Sequence, residues 1–355
     1  MGTGSGRWAL PAVATILVAA AIVAAILVSS GGGGGSQTRG QGTGAATGRT
    51  AALAGARGGD PSPAYEAAAR IALPSVVQIQ RSNGLGSGVV MDANGDIVTN
   101  AHVVAGENKF VVISSDGKHF AATLRGSFPQ GDVAVVRVSA GSLRPAQFGD
   151  SAKLRVGEAV LALGSPLGLR SSVTDGIVSA VSRTVSEGNG VALPSVVQTS
   201  AAINPGNSGG ALVDLRGRVV GIPTLAALDP ELGGTAPGVG FAISSNEVKS
   251  IATQLAKSGR VVRSDRAYLG VELRSLPAGG ALVVSVVKGG PAAKAGMKPG
   301  DLILSVAGQP VGTVDDLATA LAGHKPGDRV PVTVRHQDGS TATLQVTLGR
   351  LPPAG

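Results

Sequence analysis

The sequence predicts a mainly β protein in which two antiparallel barrels are followed by a smaller β domain with two helices. Two observations lead to this prediction. Between residues 65 and 259, short runs rich in valine and isoleucine alternate with turn signals. Evenly spaced short strands of this kind are typical of barrels and sandwiches. From residue 268 onward the pattern changes, which indicates a second folded unit. Because aromatic residues form only 2% of the chain, both cores must be built from Val, Ile, Leu and Ala.

The barrel region divides into two sets of strands, one for each barrel. The first set is predicted at residues 76–80, 89–90, 97–99, 111–114, 120–124 and 133–138. The second set is predicted at residues 159–163, 177–181, 196–199, 211–214, 219–222 and 239–243. A chain folded in this way has a cleft between its two barrels, and a site formed there draws residues from both.

A helix over residues 244–259 is predicted to close the barrel region. Ser244 and Glu247 have the spacing of a capping box, and Gly259 is a favourable C-terminal stop. The apolar residues of this segment recur at helical spacing and line one face, which is expected to pack on a barrel; they are Val248, Ile251 and Leu255.

A glycine-rich turn carries the first chemical signal. Residues 206–210 read Gly-Asn-Ser-Gly-Gly, and apolar residues follow at once. Flanking glycines permit backbone conformations closed to other residues and leave the Ser208 hydroxyl accessible. Amides of such a turn can converge on an oxyanion beside the hydroxyl. Taken alone, the turn fits a plain glycine-rich hairpin equally well, because the chain contains 55 glycines.

A serine nucleophile needs a general base, and the chain offers four histidines. His119 lies in a predicted turn region, and His324 and His336 lie in the second folded unit. His102 lies just past the end of a predicted strand in the first barrel, which makes it the candidate base. The alternative for a lone histidine at this place is a surface or packing role.

An acid is also needed to orient the base, and Asp132 is the candidate. It stands at the start of an apolar strand, where a carboxylate is partly buried yet within reach of an imidazole. Composition alone leaves the alternatives Asp96, Asp150 and Asp175 open.

The three segments together resemble the HtrA (Deg-type) serine proteases. Residues 99–104, 132–135 and 204–210 carry histidine, aspartate and serine in that family's order. The resemblance extends over residues 66–350 and includes a C-terminal PDZ-like part. Further matching segments are residues 148–151, 156–158, 163–168, 173–180 and 240–243.

This resemblance implies a chymotrypsin-like double barrel with His102, Asp132 and Ser208 as catalytic residues. It also implies that the backbone N–H groups of Gly206 and Ser208 form the oxyanion hole. Hydrolysis by such a triad requires no cofactor. No metal is expected either, because no cluster of histidines and carboxylates has ligand spacing.

Apolar residues near the nucleophile are candidates for the S1 pocket, which receives the side chain before the scissile bond. They favour small or medium aliphatic substrate residues, although each is equally consistent with an ordinary core position. The candidates are Ile203, Leu225, Ala226 and Leu228.

The segment after residue 260 resembles a PDZ domain. A sheet edge beside a helix at residues 313–322 would let a peptide add a strand, while amides at residues 269–271 would hold its terminal carboxylate. The alternative for the glycine turn at this edge is a plain strand start. The expected peptide-binding residues are Tyr268, Leu269, Gly270, Val271, Leu317 and Leu321.

The first 63 residues are expected to lie outside the folded domains. Residues 8–28 form a run of 21 residues without a charge, which is long enough to span a bilayer. Residues 1–28 are therefore predicted to form a short cytoplasmic stub and a transmembrane helix. A cleaved signal peptide is the alternative. Residues 29–63 are rich in Gly, Ser and Thr and are predicted to be a disordered tether. The protease domain then spans residues 64–259 and the PDZ domain residues 260–350.

Composition narrows the class of partner. The net charge is +8, but no basic run is interleaved with aromatic residues, so nucleic acid is not expected. The absence of cysteine fits a reducing compartment or an exported protein that avoids thiols. The resemblance implies a homotrimer or a multiple of trimers.

The sequence thus predicts a membrane-tethered, extracytoplasmic, ATP-independent serine endopeptidase that degrades misfolded or damaged envelope proteins in bacteria. Its PDZ domain would recruit or sense exposed C-termini. Two alternatives stay open. One is a holding chaperone or PDZ scaffold with a resting protease site, and the other is a regulatory protease that processes one membrane signalling partner.

Overall fold

The computed structural model describes residues 61–82, 84–139, 143–165, 172–188, 191–204, 206–229, 234–276 and 280–352. At residues 187–188, 225–229 and 234–235 it describes the backbone alone. The predicted transmembrane helix and residues 29–60 of the predicted tether lie outside these ranges. The last residues of that tether prediction are wrong, because a helix begins at Ser62. Within the described ranges, no helix has the length and apolar character needed to cross a membrane.

The first barrel closes from six antiparallel strands in the order β1-β2-β3-β6-β5-β4. Helix α1 (Ser62–Ala72), which the sequence interpretation did not anticipate, precedes it, and short helix α2 (Ala101–Val104) follows β3. The strands are β1 Val76–Arg81, β2 Gly84–Val90, β3 Asp96–Thr99, β4 Lys109–Ile113, β5 His119–Phe128 and β6 Val133–Val138.

The second barrel also closes from six strands, in the order β10-β11-β12-β9-β8-β7. Its strands β8, β11 and β12 are longer than their apolar runs predict, and β8 reaches 17 residues with several bulges. The strands are β7 Ala159–Gly164, β8 Ser172–Gly188, β9 Val191–Thr199, β10 Ala211–Asp214, β11 Val219–Asp229 and β12 Gly234–Ser244. The mainly β, chymotrypsin-like architecture predicted from the sequence is confirmed.

Small aliphatic side chains fill both barrels. Ile79 and Ile97 are at most 1% exposed in the first, and Leu161 and Leu212 are equally buried in the second. Phe128, at the end of β5, is among the largest fully buried side chains and belongs to a cluster that joins the two barrels. The catalytic cleft expected between the barrels therefore rests on two rigid, densely packed halves.

Helix α3 (Ser245–Ser258) closes the barrel region as predicted, with Gly259 in the left-handed conformation at its C-terminus. The capping-box prediction is wrong, since the Ser244 side chain caps nothing. The neighbouring Ser245 hydroxyl instead donates to the Gly149 carbonyl at 2.9 Å, and the Ser151 hydroxyl accepts the Asn246 amide at 3.2 Å. Packing of this helix end against the segment before β7 thus replaces a local cap.

The C-terminal unit is a five-strand path, β14-β15-β16-β18-β19, with β17 paired to β16 and a separate ladder of β13 and β20. Thr313 caps helix α5 by accepting the Asp316 amide at 3.1 Å, as predicted. The described residues of this unit include helices α4 (Pro291–Lys294) and α5 (Val314–Ala322). The strands are β13 Ala267–Tyr268, β14 Val271–Ser275, β15 Ala281–Val286, β16 Leu302–Val306, β17 Gln309–Pro310, β18 Arg329–Arg335, β19 Thr341–Thr347 and β20 Gly349–Arg350.

Candidate active site

Asp132 lies between a 3-10 turn (Pro129–Gly131) and the start of β6. Its backbone is left-handed, with φ of +48°, a conformation rare for residues other than glycine. The side-chain amide of Asn100 donates to the Asp132 carbonyl at 3.0 Å and helps to hold this conformation. The result is a carboxylate that is only 3% exposed and points toward α2.

His102, on α2, is in direct contact with this carboxylate. Its Nδ1 lies 2.9 Å from Oδ2 and 3.0 Å from Oδ1 of Asp132, and its backbone amide also donates to Oδ1 at 3.0 Å. A carboxylate can only accept, so Nδ1 carries the proton and Nε2 of the neutral ring is the acceptor nitrogen. Half of the His102 side chain is exposed, which keeps the ring accessible from the cleft.

Thr224, on β11, joins the acid to the serine and was not anticipated from the sequence. Its hydroxyl donates to Asp132 Oδ2 at 2.5 Å, and its carbonyl accepts from the Ser208 hydroxyl at 3.1 Å. Thr224 is 4% exposed. It brings residues from both barrels into one hydrogen-bonded cluster, with His102 and Asp132 from the first and Ser208 from the second.

The turn that carries Ser208 depends on its glycines. Gly206 and Gly209 have φ of +105° and +81°. A Cβ at Gly209 would overlap the carbonyl oxygen of Ser87 and the hydroxyl of Thr99. In the part of the chain that the structure describes, neither the Gly206 nor the Ser208 amide is bonded to an acceptor. The assignment of these two amides to an oxyanion hole stays a prediction.

The competing carboxylates have other partners or positions. Asp96 is 1% exposed and forms two bonds with the Arg137 guanidinium, at 2.7 and 2.6 Å. Asp150 accepts from the Asn246 side chain and the Ala152 amide, and these bonds lower the pKa of its carboxyl group. Asp175 is exposed on β8. Geometry favours Asp132 over all three.

The other histidines lie away from Ser208. His119 is exposed at the start of β5. In the C-terminal unit, His324 lies 3.5 Å from Asp328, and His336 Nδ1 lies 2.8 Å from the buried Asp301.

A cavity of about 570 Å³ opens beside the imidazole of His102. Leu124 and Pro129 form its apolar walls, and Glu107 places a carboxylate at its border.

Comparisons with known proteins agree with this geometry. Residues 86–222 match the family described as trypsin-like peptidase domain, and residues 267–348 match the PDZ domain family. The serine protease PepD of Mycobacterium tuberculosis is 40% identical over 313 residues, which cover 82% of this chain and 67% of PepD. The HtrA-type protease AlgW, solved with a decapeptide, superimposes with a TM-score of 0.57 at 31% identity, over 82% of this chain and 99% of AlgW. The chain belongs to the HtrA family of serine proteases.

A second relative has a longer chain. The protein named probable periplasmic serine endoprotease DegP-like, from Ectopseudomonas mendocina, is 40% identical over 288 residues. The match covers 78% of this chain but 58% of that relative, so the chain spans less than two thirds of the DegP-like protein's length.

The S1 candidates of this HtrA protein fall into two groups. Ile203 is 6% exposed and packs in the second barrel, where a Cβ at Gly240 would overlap it. Leu225, Ala226 and Leu228 lie on β11 and pair with β12, but their side chains lie outside the described part of the chain. Their assignment to an S1 pocket stays a prediction.

The PDZ residues predicted to bind peptide meet in one groove. All six line a cavity of about 250 Å³ between β14 and α5: Tyr268, Leu269, Gly270, Val271, Leu317 and Leu321. Gly270 has φ of +82°, a conformation that glycine adopts freely.

Residues of the protease domain complete the groove. Val191, Ala192 and Pro194 of β9 line it together with Gln130. Arg266, just before β13, donates to the Ala192 carbonyl at 2.6 Å and lies 5.9 Å from the centre of the Phe128 ring. A peptide in the PDZ groove would therefore lie against both domains.

Proposed function

We propose that this HtrA-type serine endopeptidase hydrolyses peptide bonds through Ser208, His102 and Asp132. Nε2 of His102 takes the Ser208 proton as the hydroxyl attacks the peptide carbonyl, and then returns it to the leaving amine. Asp132 holds the ring in the required tautomer and stabilises its charged form. The hydrogen-bonded cluster centred on Thr224 is the observation that carries this proposal.

Stabilisation of the tetrahedral intermediate falls to the amides of Gly206 and Ser208. Two preorganised donors of this kind contribute several kcal/mol in the transition state. The Ser208 hydroxyl donates to the Thr224 carbonyl, and 3.1 Å separate the two oxygen atoms. This hydrogen bond must break before the proton can pass to His102. A rotation of the serine side chain would break this bond.

The proposed substrates are misfolded or damaged proteins outside the cytoplasm. The periplasmic assignment in the name of the E. mendocina relative supports this location. The apolar S1 candidates favour aliphatic residues, which become exposed when a protein unfolds. The PDZ groove would recruit or sense exposed C-termini, as the decapeptide in the AlgW structure supports.

Assembly and anchoring are part of the same proposal. The uncharged run at residues 8–28 would anchor the chain in the membrane, and residues 29–60 would act as the tether before helix α1. The proposed domain limits are 64–259 for the protease domain and 260–350 for the PDZ domain, and family matches at residues 86–222 and 267–348 support two domains in this order. A homotrimer or a multiple of trimers is proposed from the family resemblance alone.

The test compares the full chain with its Ser208→Ala variant, using casein as an unfolded substrate. Loss of the nucleophile of a triad lowers kcat by about 10⁶-fold, so the variant should release no measurable product. Addition of peptides with apolar C-termini, followed by the rate of product formation, tests the PDZ part. If neither protein cleaved casein with any of the peptides, although both still bound it, the result would contradict the proposal and favour a scaffold. A single cut in one partner, with casein spared, would favour a processing protease.

A further inference from the structure

Ser87 lies on β2, in the first barrel, but its polar groups reach the nucleophile turn of the second. It is 0% exposed. Its hydroxyl lies 2.5 Å from the carbonyl oxygen of Gly206 and 2.8 Å from the backbone nitrogen of Ser165, at the end of β7. Its own amide donates to the Ser208 carbonyl at 2.9 Å. The side chain and backbone of one residue thus bond to two segments at the junction of the barrels, the end of β7 and the nucleophile turn.

The direction of each bond follows from the chemistry of the partners. A backbone amide can only donate, so the Ser87 oxygen accepts from Ser165. A carbonyl can only accept, so the single hydroxyl proton of Ser87 goes to Gly206. The two roles cannot be exchanged, because the Gly206 carbonyl cannot donate and the Ser165 amide cannot accept.

The bond to Gly206 matters because glycine does not fix its own peptide orientation. With φ of +105°, Gly206 occupies a region where glycine moves between conformations at little steric cost. The peptide group between Gly206 and Asn207 lies between the two peptide groups whose amides are the proposed oxyanion donors. Ser87 holds its carbonyl, and the Asn204 carbonyl accepts its amide at 3.0 Å.

We propose that Ser87 is a positioning residue for the oxyanion hole. Its hydroxyl fixes the Gly206 carbonyl, and this aims the amides of Gly206 and Ser208 at the position of the developing oxyanion. This role rests on the proposed peptidase function of Ser208. Ser87 touches no reacting atom and acts through the backbone of the turn.

The experiment is the Ser87→Ala substitution in the full chain, assayed with a fluorogenic peptide that has valine before the scissile bond. Loss of one oxyanion donor lowers kcat by about 10²–10³-fold, so partial misdirection of the donors should lower it by about 10–100-fold. KM should change less than about twofold, because the oxyanion hole interacts only weakly with the carbonyl of the bound substrate before the reaction. A peptide aldehyde of the same sequence, whose hemiacetal oxygen takes the oxyanion's place, should lose affinity in parallel with kcat.

Ser245→Ala is the matched control. Ser245 is also 0% exposed, and its hydroxyl also donates to a glycine carbonyl, that of Gly149, but far from the turn. The Ser245→Ala variant should lose about as much thermal stability as Ser87→Ala, while its kcat and its affinity for the peptide aldehyde stay unchanged. Ser87→Cys, with its weaker donor, should lie between wild type and Ser87→Ala.

Three outcomes would overturn the role of Ser87. One is an unchanged kcat in Ser87→Ala, and another is an equal loss of kcat in Ser245→Ala. The third is failure of both Ser87 variants to fold, which would make the hydroxyl a requirement of the fold. An inactive wild type, by contrast, would remove the proposed function itself.

Discussion

Thr224 contributes two separate groups to the site, and a substitution can remove one of them alone. Its hydroxyl supports the Asp132 carboxylate, whereas its carbonyl accepts from Ser208. Thr224→Val keeps the shape and the carbonyl but deletes the hydroxyl. Hydrogen bonds to charged groups are worth about 1.5–3 kcal/mol, and tenfold in rate corresponds to about 1.4 kcal/mol. We expect kcat/KM to fall by about tenfold or more, measured with the fluorogenic peptide, and Thr224→Ser to restore most of it.

Thr199→Val is the control for that prediction. The Thr199 hydroxyl is buried, donates to the Ile177 carbonyl at 2.9 Å and accepts the Ala201 amide at 3.1 Å, so the same chemical change removes two bonds that do not involve Asp132. Equal rates in Thr224→Val and wild type would show that Asp132 needs no second donor.

Sequence reasoning reached the residues that carry distinctive signals and missed those that do not. His102 was found because histidines are few, and Ser208 because of its glycine-rich turn. Thr224 and Ser87 are ordinary hydroxyl residues whose partners, Asp132 and Gly206, lie 92 and 119 positions away along the chain. Only the folded barrels bring such pairs together.

The nucleophile turn depends on close approach as well as on backbone conformation, and a pair of glycine substitutions separates these effects. Gly209 and Gly157 have φ of +81° and +91°, and only Gly209 faces neighbouring atoms, those of Ser87 and Thr99. A left-handed alanine costs about 1–2 kcal/mol in either place. We expect Gly209→Ala to lose clearly more unfolding free energy in urea than Gly157→Ala, and to lose peptidase activity as well.

Similar losses in the two glycine variants would contradict this prediction, since the left-handed conformation alone would then explain both. An active Gly209→Ala protein would do so too. Either result would show that β2 yields to an added methyl group and that its distance from the turn is not critical.

Element positions were predictable where apolar residues alternate and less so elsewhere. All six predicted strands of each barrel are present, because valine-rich runs specify a half-buried pleated surface. Strand β8 extends well beyond its predicted residues 177–181 because pairing with β7 and β9, rather than composition, sets its length. Helix α1 was missed because its alanine-rich sequence continues the composition of the segment before it.

At the scale of the whole molecule, Arg266 connects the two domains. Its guanidinium reaches the Ala192 carbonyl on β9 and lies 3.8 Å from the Glu247 carboxylate on α3. The sequence predicted both the PDZ groove and the second barrel, but nothing in either pattern indicated that β9 would line the groove. Contacts between domains depend on a few side chains with no periodic signal.

The environment of Glu247 gives this junction a pH dependence. Burial raises the pKa of its carboxyl group, and Arg266 opposes this only in part. The folded protein therefore binds this proton more tightly than the unfolded chain, whose glutamate pKa is about 4.3. The corresponding stability is present below that value and is lost as the pH rises through the raised pKa of the folded state.

Glu247→Gln removes the titration and keeps the shape of the side chain. We expect the difference in unfolding free energy, variant minus wild type, to shift in favour of the variant between about pH 4 and about pH 7, measured by urea denaturation of the full chain. Glu66, which is exposed, is replaced in the same way as the control. A constant difference would mean that the ion pair with Arg266 and the burial of Glu247 cancel, and one that moves toward the wild type as the pH rises would mean that the ion pair outweighs the burial. The junction between the domains would then be held by charge attraction, and salt should weaken it.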